Sequence, residues 1–212
     1  MKEKPILFNT AMVQAILSGQ KTQTRRVLDC THPVVTGFEP NGSHGYWKGT
    51  AKSEAVIQQY ISTFPLTIKC PFGMVGERLW VREAWSTHAE FDGIAARNLT
   101  TRSVHYWADG PCRTGKKRPS THMPRWASRL LLEITAVRVE RLNDISKADA
   151  TKEGGPKGHP SIDKVSLGLG FKDWPRSWFA QTWDWVNKIH TWAANPWVWV
   201  IEFKVIEPTD KA

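Results

Sequence analysis

The amino-acid sequence predicts an α+β protein in which helices flank a small mixed β-barrel. Residues 129–142 alternate as a long strand, but their apolar positions change from even to odd numbers near Ala136. A β-bulge at this point would explain the change, and the bend that a bulge introduces suits a small closed barrel. Residues 177–190 are instead rich in Trp and predict an amphipathic helix that packs on the sheet.

The N-terminal region predicts a helix that ends at Gly19. Asn9 or Thr10 is suited to cap its first turn. Its apolar residues fall on one stripe, namely Met12, Val13, Ile16 and Leu17. The Thr-rich residues 20–28 then predict a turn that leads into a strand. Lys21 is therefore expected at a junction between a helix and a strand.

Three further elements follow from local patterns. Residues 78–85 alternate as a strand that puts Glu83 on the same face as its apolar residues. Residues 146–153 predict a short capped helix, and residues 196–206 predict a closing strand.

Two segments contain many Pro and Gly residues and little periodicity. We expect residues 29–70 and 86–128 to be loop-rich insertions, with a short strand at 104–107 in the second. The length of 212 residues favours one domain that spans the whole chain, residues 1–212.

The charge balance favours anionic partners. The chain has 29 Lys and Arg against 20 Asp and Glu, a formal net charge of +9, and this excess biases binding toward polyanions.

The three cysteines, Cys30, Cys70 and Cys112, are too far apart for a metal pair, and they fit reduced thiols in a cytoplasmic protein. The chain contains neither a signal-peptide core nor a membrane-length apolar stretch, so a soluble protein is expected. Its seven histidines share no ligand spacing, so no metal or other cofactor is predicted, and no obligate protein partner is inferred.

A short signature carries a family resemblance. Residues 17–26 read Leu-Ser-Gly-Gln-Lys-Thr-Gln-Thr-Arg-Arg, which resembles the helix-end signature Gly-x-Lys-Thr-x-Thr of ASCH domains. Residues 76–83, 122–129 and 195–203 are similar to blocks of phage and prophage members of that superfamily. A phosphate-binding P-loop is excluded, because the two glycines that would precede its Lys are missing.

The resemblance implies a PUA-like fold and a cleft that handles RNA or modified nucleosides. Small bacterial members of the superfamily hydrolyse the acetyl amide of N4-acetylcytidine with a Lys and a Thr from the signature and a Glu from the helix after the long strand. Matched position by position, this assigns the catalytic roles to Lys21, Thr24 and Glu153. Other members cleave RNA or only bind it.

The chemistry of this trio requires a particular local geometry. A Lys whose pKa is lowered by burial is able to take the proton of a Thr hydroxyl, which then attacks the amide carbonyl. Lys21 and Thr24 act together only if the turn continues through Thr22, because residues three apart in a strand face opposite ways. The alternative is a solvated helix-end Lys beside an ordinary strand Thr. Glu83 is a rival to Glu153 as the active carboxylate.

Basic and aromatic residues supply candidate substrate contacts. Arg26, Arg82 and Glu83 are expected at the cleft, and Trp80 and Tyr106 are candidates for stacking on a base. Arg25 is expected on the cleft rim. A run of six basic residues without an acid forms a candidate phosphate surface, for which solvated loop charge is the alternative: Arg113, Lys116, Lys117, Arg118, Arg125 and Arg129.

Three functions remain open at this point. The most concrete is amide hydrolysis of N4-acetylcytidine. The second is a single-strand ribonuclease, which would depend on the basic run and a general base. The third is a non-catalytic RNA or modified-base binding module. The expected partner is accordingly a modified nucleoside or single-stranded RNA and not a membrane. The chain is about twice as long as the small amidohydrolases, and its insertions are placed to reshape the cleft.

Overall fold

A five-stranded mixed sheet forms the centre of the protein. The computed structural model describes residues 2–28, 35–41, 46–50, 67–100, 103–111, 115–157 and 160–206. In spatial order, with numbers that follow the chain, the strands are β1 (Glu3–Leu7), β6 (Arg78–Arg82), β9 (Leu131–Arg141), β10 (Trp197–Ile206) and β2 (Gln23–Val27). β1 runs parallel to β6, and the other neighbours are antiparallel.

In the described residues, two small sheets and four helices surround this centre. The small sheets are β3 (Gly37–Asn41) with β4 (Tyr46–Thr50) and β5 (Thr67–Lys69), and β7 (Trp85–Ser86) with β8 (His105–Tyr106). The helices are α1 (Thr10–Leu17), α2 (Lys147–Lys152), α3 (Pro160–Gly168) and α4 (Trp174–Val186). Short 3₁₀ helices occur between residues 89 and 144.

The predicted α+β class, with flanking helices and loop-rich insertions, is confirmed. The closed barrel expected from the sequence does not form among the described residues: backbone hydrogen bonds leave β1 and β2 as the two edges of an open central sheet. The first insertion contains a three-stranded sheet that its sequence does not reveal. Leu17 was expected on the apolar stripe of α1 but is 47% exposed. That residues 1–212 form a single domain stays a prediction.

The two faces of the central sheet carry separate apolar clusters. On one face, Trp199, Ile201 and Phe203 of β10 pack with Val13 and Ile16 of α1. On the other face, the intervening residues Val198 and Val200 pack against the aromatic residues of α4. Because side chains alternate along a strand, one strand serves both clusters. The site described below lies where these two layers meet, at the edge strand β2.

The β9 strand contains the predicted bulge. Ala136 pairs with Glu202 and Ile134 pairs with Phe203, so Thr135 has no partner on β10. The extra residue shifts the alternation of β9 by one position. Ile134 before the bulge and Val137 after it therefore both belong to the α1 face.

Capping residues define the two helix ends at the site. The Asn9 side chain accepts a hydrogen bond from the Met12 amide at 2.8 Å, and Gly19, with φ +73°, ends α1. The Ser146 hydroxyl accepts from the Asp149 amide at 3.0 Å, and Gly154, with φ +99°, follows the end of α2. Residues 21 and 153 therefore both lie one or two positions from a sharp turn.

Three other predictions concern groups outside this region. Cys70 is a free, buried thiol whose pKa is raised by burial, whereas Cys30 and Cys112 lie outside the described residues. No described helix is long and apolar enough to span a membrane. In the same part of the chain, no three His, Cys, Asp or Glu residues are grouped so as to hold a metal ion.

The packing predicts unequal effects of truncation at two positions of β10. Ile201→Ala should lower the free energy of unfolding by about 2–5 kcal/mol, because it opens a cavity in a fully buried cluster. Val205→Ala, on the same strand but 43% exposed, should change it by no more than about 0.5 kcal/mol. Urea unfolding of both variants measures the difference. Equal losses would mean that the described faces of β10 are wrong.

Candidate functional site

A buried ion pair joins β2 to the end of α2. The Lys21 ammonium donates to a carboxylate oxygen of Glu153 at 2.6 Å and to the Glu153 backbone carbonyl at 2.8 Å. The two residues also form an isolated backbone bridge, and the Thr22 amide donates to the Lys152 carbonyl at 2.9 Å. Lys21 is 1% exposed, which excludes the solvated helix-end arrangement that the sequence left open.

Arg25 holds the other oxygen of the Glu153 carboxylate. Its Nη1 donates to Glu153 Oε1 at 3.1 Å, and its Nη2 donates to Glu140 Oε1 at 2.5 Å. With its amide oxygen facing the guanidinium, Gln23 accepts from Arg25 Nη1 at 2.8 Å and donates to Asp149 Oδ1 at 3.0 Å. The expectation that Arg25 contributes to a basic rim is therefore not met, because the side chain is buried among acids.

Thr24 and Glu153 line a small cavity beside this pair. The cavity has a volume of about 70 Å³, and α4 forms its far wall through Phe179 and Trp183. Among the described residues the Thr24 hydroxyl has no hydrogen-bond partner, although the residue is only 3% exposed. A hydroxyl without a protein partner, on a residue that lines a cavity, is available to a ligand.

Lys21 and Arg26 approach the same aromatic ring, that of Phe8. The Lys21 Nζ is 5.8 Å from the centre of the Phe8 ring, and the Arg26 guanidinium is 5.2 Å from the same ring. Thr24 and Arg26 share a strand face because they are two residues apart. Thr24 and Arg26 line the cavity, and Lys21 approaches it through its contact with Glu153, which also lines it.

Burial dominates the protonation of the basic groups here. It lowers the pKa of Lys21, although the adjacent Glu153 carboxylate acts in the opposite direction. It also lowers the pKa of Arg26, whose Nη2 donates to the Leu7 carbonyl at 2.6 Å. The Lys21 amine is therefore less costly to deprotonate than a solvated Lys.

Glu83 lies in a different cluster. Arg129 donates to both of its carboxylate oxygens, at 3.0 and 3.1 Å, and also to Asp109 at 2.7 Å. The same guanidinium lies 4.0 Å from the centre of the Tyr106 ring, and the Tyr106 hydroxyl donates to the Ala127 carbonyl. Burial raises the pKa of Glu83. None of these contacts connects Glu83 or Tyr106 with Lys21.

Trp80 and Arg82 lie near a second, larger cavity. The Arg82 guanidinium is 5.3 Å from the Trp80 ring, donates to the Met123 and Thr121 carbonyls, and lines a cavity of about 530 Å³.

Members of the predicted basic run differ in their surroundings. Lys116 and Lys117 are exposed at this cavity, whereas Arg118 is 8% exposed. Arg125 and Arg129 are paired with acids, and Arg113 lies outside the described residues.

The structure brings Lys21, Thr24, Arg26 and Glu153 together and leaves Trp80, Arg82, Glu83 and Tyr106 apart from them. Sequence reasoning missed Glu140 and Asp149, which surround Arg25. The position of Glu140 could have been predicted from the sequence. It lies after the β9 bulge, so the shifted alternation shows on which face of the sheet it lies.

Comparison with known proteins gives only distant similarities. No protein-family model and no curated protein matches the chain. A solved structure from Enterococcus faecalis V583, of the family DUF984, matches with a TM-score of 0.38 and 10% identity over 91% of this chain and 65% of that chain. An ASCH domain from Lactobacillus crispatus JV V101 matches with a TM-score of 0.35 and 14% identity over 96% of this chain and 79% of the other.

The chain spans less than two thirds of the Enterococcus protein.

The lowered pKa of Lys21 predicts a pH dependence of stability. Between that lowered value and the ordinary value of 10.5, the unfolded chain binds this proton more tightly than the folded protein does. The free energy of unfolding, relative to Lys21→Met, should therefore rise with pH through this range and level off above it. Urea unfolding of both proteins at a series of pH values measures this difference. If the difference in unfolding free energy instead fell as pH rises, the attraction of Lys21 to Glu153 would outweigh the effect of burial on the pKa of Lys21.

Proposed function

We propose that the protein is an amide hydrolase that removes the acetyl group of N4-acetylcytidine or of a related acylated cytosine. The observation that carries this proposal is the buried Lys21, held by Glu153 at 2.6 Å, beside a cavity that Thr24 and Glu153 line. The resemblance of residues 19–24 to the ASCH signature supports the same roles for Lys21 and Thr24.

The reaction would proceed in two halves. The neutral Lys21 amine takes the Thr24 hydroxyl proton as the oxygen attacks the acetyl carbonyl. The tetrahedral intermediate then collapses, the bond from the carbonyl carbon to N4 breaks, and the Lys21 ammonium returns the proton to N4. Water, deprotonated by Lys21, hydrolyses the acetyl-Thr24 ester to acetate and restores the hydroxyl.

Glu153 and Arg25 act on this chemistry through Lys21. Glu153 accepts two hydrogen bonds from the ammonium, one at its carboxylate and one at its carbonyl, which fixes the amine in position. Arg25 fixes the carboxylate in turn. Burial favours the neutral amine that the first step needs, and the carboxylate stabilises the ammonium that forms during attack.

The size of the cavity determines how the substrate binds. A volume of about 70 Å³ corresponds to roughly two water molecules, so it holds an acyl group and not a whole nucleoside. The base and sugar would lie outside it, toward the exposed Val186 and the adjoining Asn187 at the end of α4.

Substitutions at residues 21 and 24 test the mechanism. Thr24→Ala should abolish release of acetate, whereas Thr22→Ala, at an exposed position two residues away, should leave it unchanged. Lys21→Arg should also abolish turnover, because Arg keeps the charge but does not give up its proton. The measurement is chromatography after incubation with N4-acetylcytidine, with a single-stranded RNA in parallel.

Circular dichroism of each variant establishes that it is folded. Full turnover by folded Lys21→Arg would refute the proton-transfer role of Lys21. Cleavage of the RNA without release of acetate would support the ribonuclease alternative instead.

The buried carboxylates of Glu153 and Glu83 provide a matched comparison. Each is paired with a basic side chain, but only Glu153 contacts Lys21. Both Glu153→Gln and Glu83→Gln should lower stability, by up to about 3–5 kcal/mol, because a buried charge loses its partner. Only Glu153→Gln should reduce turnover per folded molecule. Loss of turnover in Glu83→Gln alone would transfer the role to Glu83.

A further inference from the structure

We infer that the larger cavity is a second site, which binds the phosphate group of a nucleotide, either free or within a single strand. This site shares no lining residue with the Thr24 cavity. It is built mainly from the second insertion, residues 86–128, together with Arg82. The inference goes beyond amide hydrolysis and does not depend on it.

The cavity is lined by positive charge that the protein does not neutralise. Five basic side chains line it: Arg82, Arg97, Lys116, Lys117 and Arg118. In the part of the chain that the structure describes, none of them forms a salt bridge. The Asp92 carboxylate contacts this segment but accepts the backbone amide of Lys116, at 2.9 and 3.0 Å. An uncompensated cluster of this kind attracts an anion.

Arg118 is the least accessible of the five and the most informative. Its Nη1 and Nη2 donate to the Ile94 and Phe91 carbonyls at 2.8 and 2.6 Å, and its Nε is buried without a partner. A buried guanidinium normally has a carboxylate partner, because desolvation of its charge is costly. Here carbonyl groups hold the cation in place, and the compensating anion would come from a ligand.

The exposed members are free to contact that ligand. Arg97 and Lys116 have exposed side chains with no hydrogen bond or ion pair among the described residues. Lys117 lies 4.9 Å from the centre of the Trp107 ring, which holds its ammonium near the cavity. Arg82 and Arg118, which are held by carbonyl groups, and the three exposed cations together surround the same space.

The shape and the remaining lining favour a nucleotide over a lipid surface. A volume of about 530 Å³ lies within the range of small-molecule sites, and a flat anionic membrane does not enter such a concave space. Apolar residues lie between the cations, namely Ala95, Ala96, Pro119, Met123 and Pro124. A phosphate with an attached base, whose flat aromatic faces are apolar, matches both parts of the lining.

Charge-matched variants of the full chain test the site. Arg97→Ala/Lys116→Ala removes two exposed cations from the cavity, and Lys164→Ala/Lys172→Ala removes two exposed cations elsewhere. Binding of a short 5′-labelled oligouridylate is measured by fluorescence anisotropy over a range of salt concentrations. The cavity variant should bind roughly tenfold more weakly at low salt and reduce the slope of log K against log salt by about 1.4, since each lost contact with a single strand removes about 0.7.

Competition identifies what the cavity recognises. Displacement of the labelled oligouridylate by uridine monophosphate and by inorganic phosphate would show that a free phosphate is sufficient for binding. Displacement by unlabelled oligouridylate alone would show that the cavity requires a strand. Uridine should not compete. Thr24→Ala should bind normally, which separates this site from the hydrolase site.

Three results would overturn the inference. One is an equal loss of affinity in the cavity variant and the charge-matched control. Another is displacement by uridine as effective as by uridine monophosphate. The third is binding to phosphatidylserine vesicles that the cavity substitutions weaken while oligouridylate binding stays intact.

Discussion

The buried contact between Lys21 and Glu153 is the interaction on which the site depends. It joins the edge strand of the central sheet to the end of α2 through one backbone bridge and two side-chain hydrogen bonds. Removing two charges from water is costly, and the cost is offset only when each charge has good partners. Arg25 and Glu140 complete that arrangement, so the position of Glu153 depends on three other side chains, two from residues 21–25 and one from β9.

The excess positive charge of the chain is unevenly distributed. Near the Thr24 cavity, Arg25 and Arg138 are surrounded by carboxylates, whereas Arg26 donates to the Leu7 carbonyl. Around the larger cavity the described cations have no acidic partner. Part of the net charge of +9 therefore surrounds one concave space instead of being spread evenly over the surface.

Local patterns predicted the elements that rest on alternation or capping. The Asn9 cap, the turn at Gly19 and the β9 bulge all follow from short-range chemistry, and the family resemblance selected Lys21, Thr24 and Glu153. The three-stranded sheet was not predicted, because its strands lie in Gly- and Pro-rich sequence with little alternation and because β5 pairs with β4 across a long intervening segment. The burial of Arg25 was missed for a related reason. A single Arg does not reveal in sequence which acids will surround it in the fold.

The bulge at Thr135 determines on which face of the sheet each residue in the second half of β9 lies. Before it, even-numbered residues such as Ile134 face α1; after it, odd-numbered residues such as Val137 do. Arg138 and Glu140 consequently face the helix layer, opposite Val200 and Val198. A chain lacking that one residue would retain a regular ladder but would turn both charged side chains into the apolar layer and deprive Arg25 of Glu140. The electrostatics of the site thus depend on an exposed threonine that contacts none of its charges, and the length of this strand is under tighter constraint than the identity of the residue that bulges.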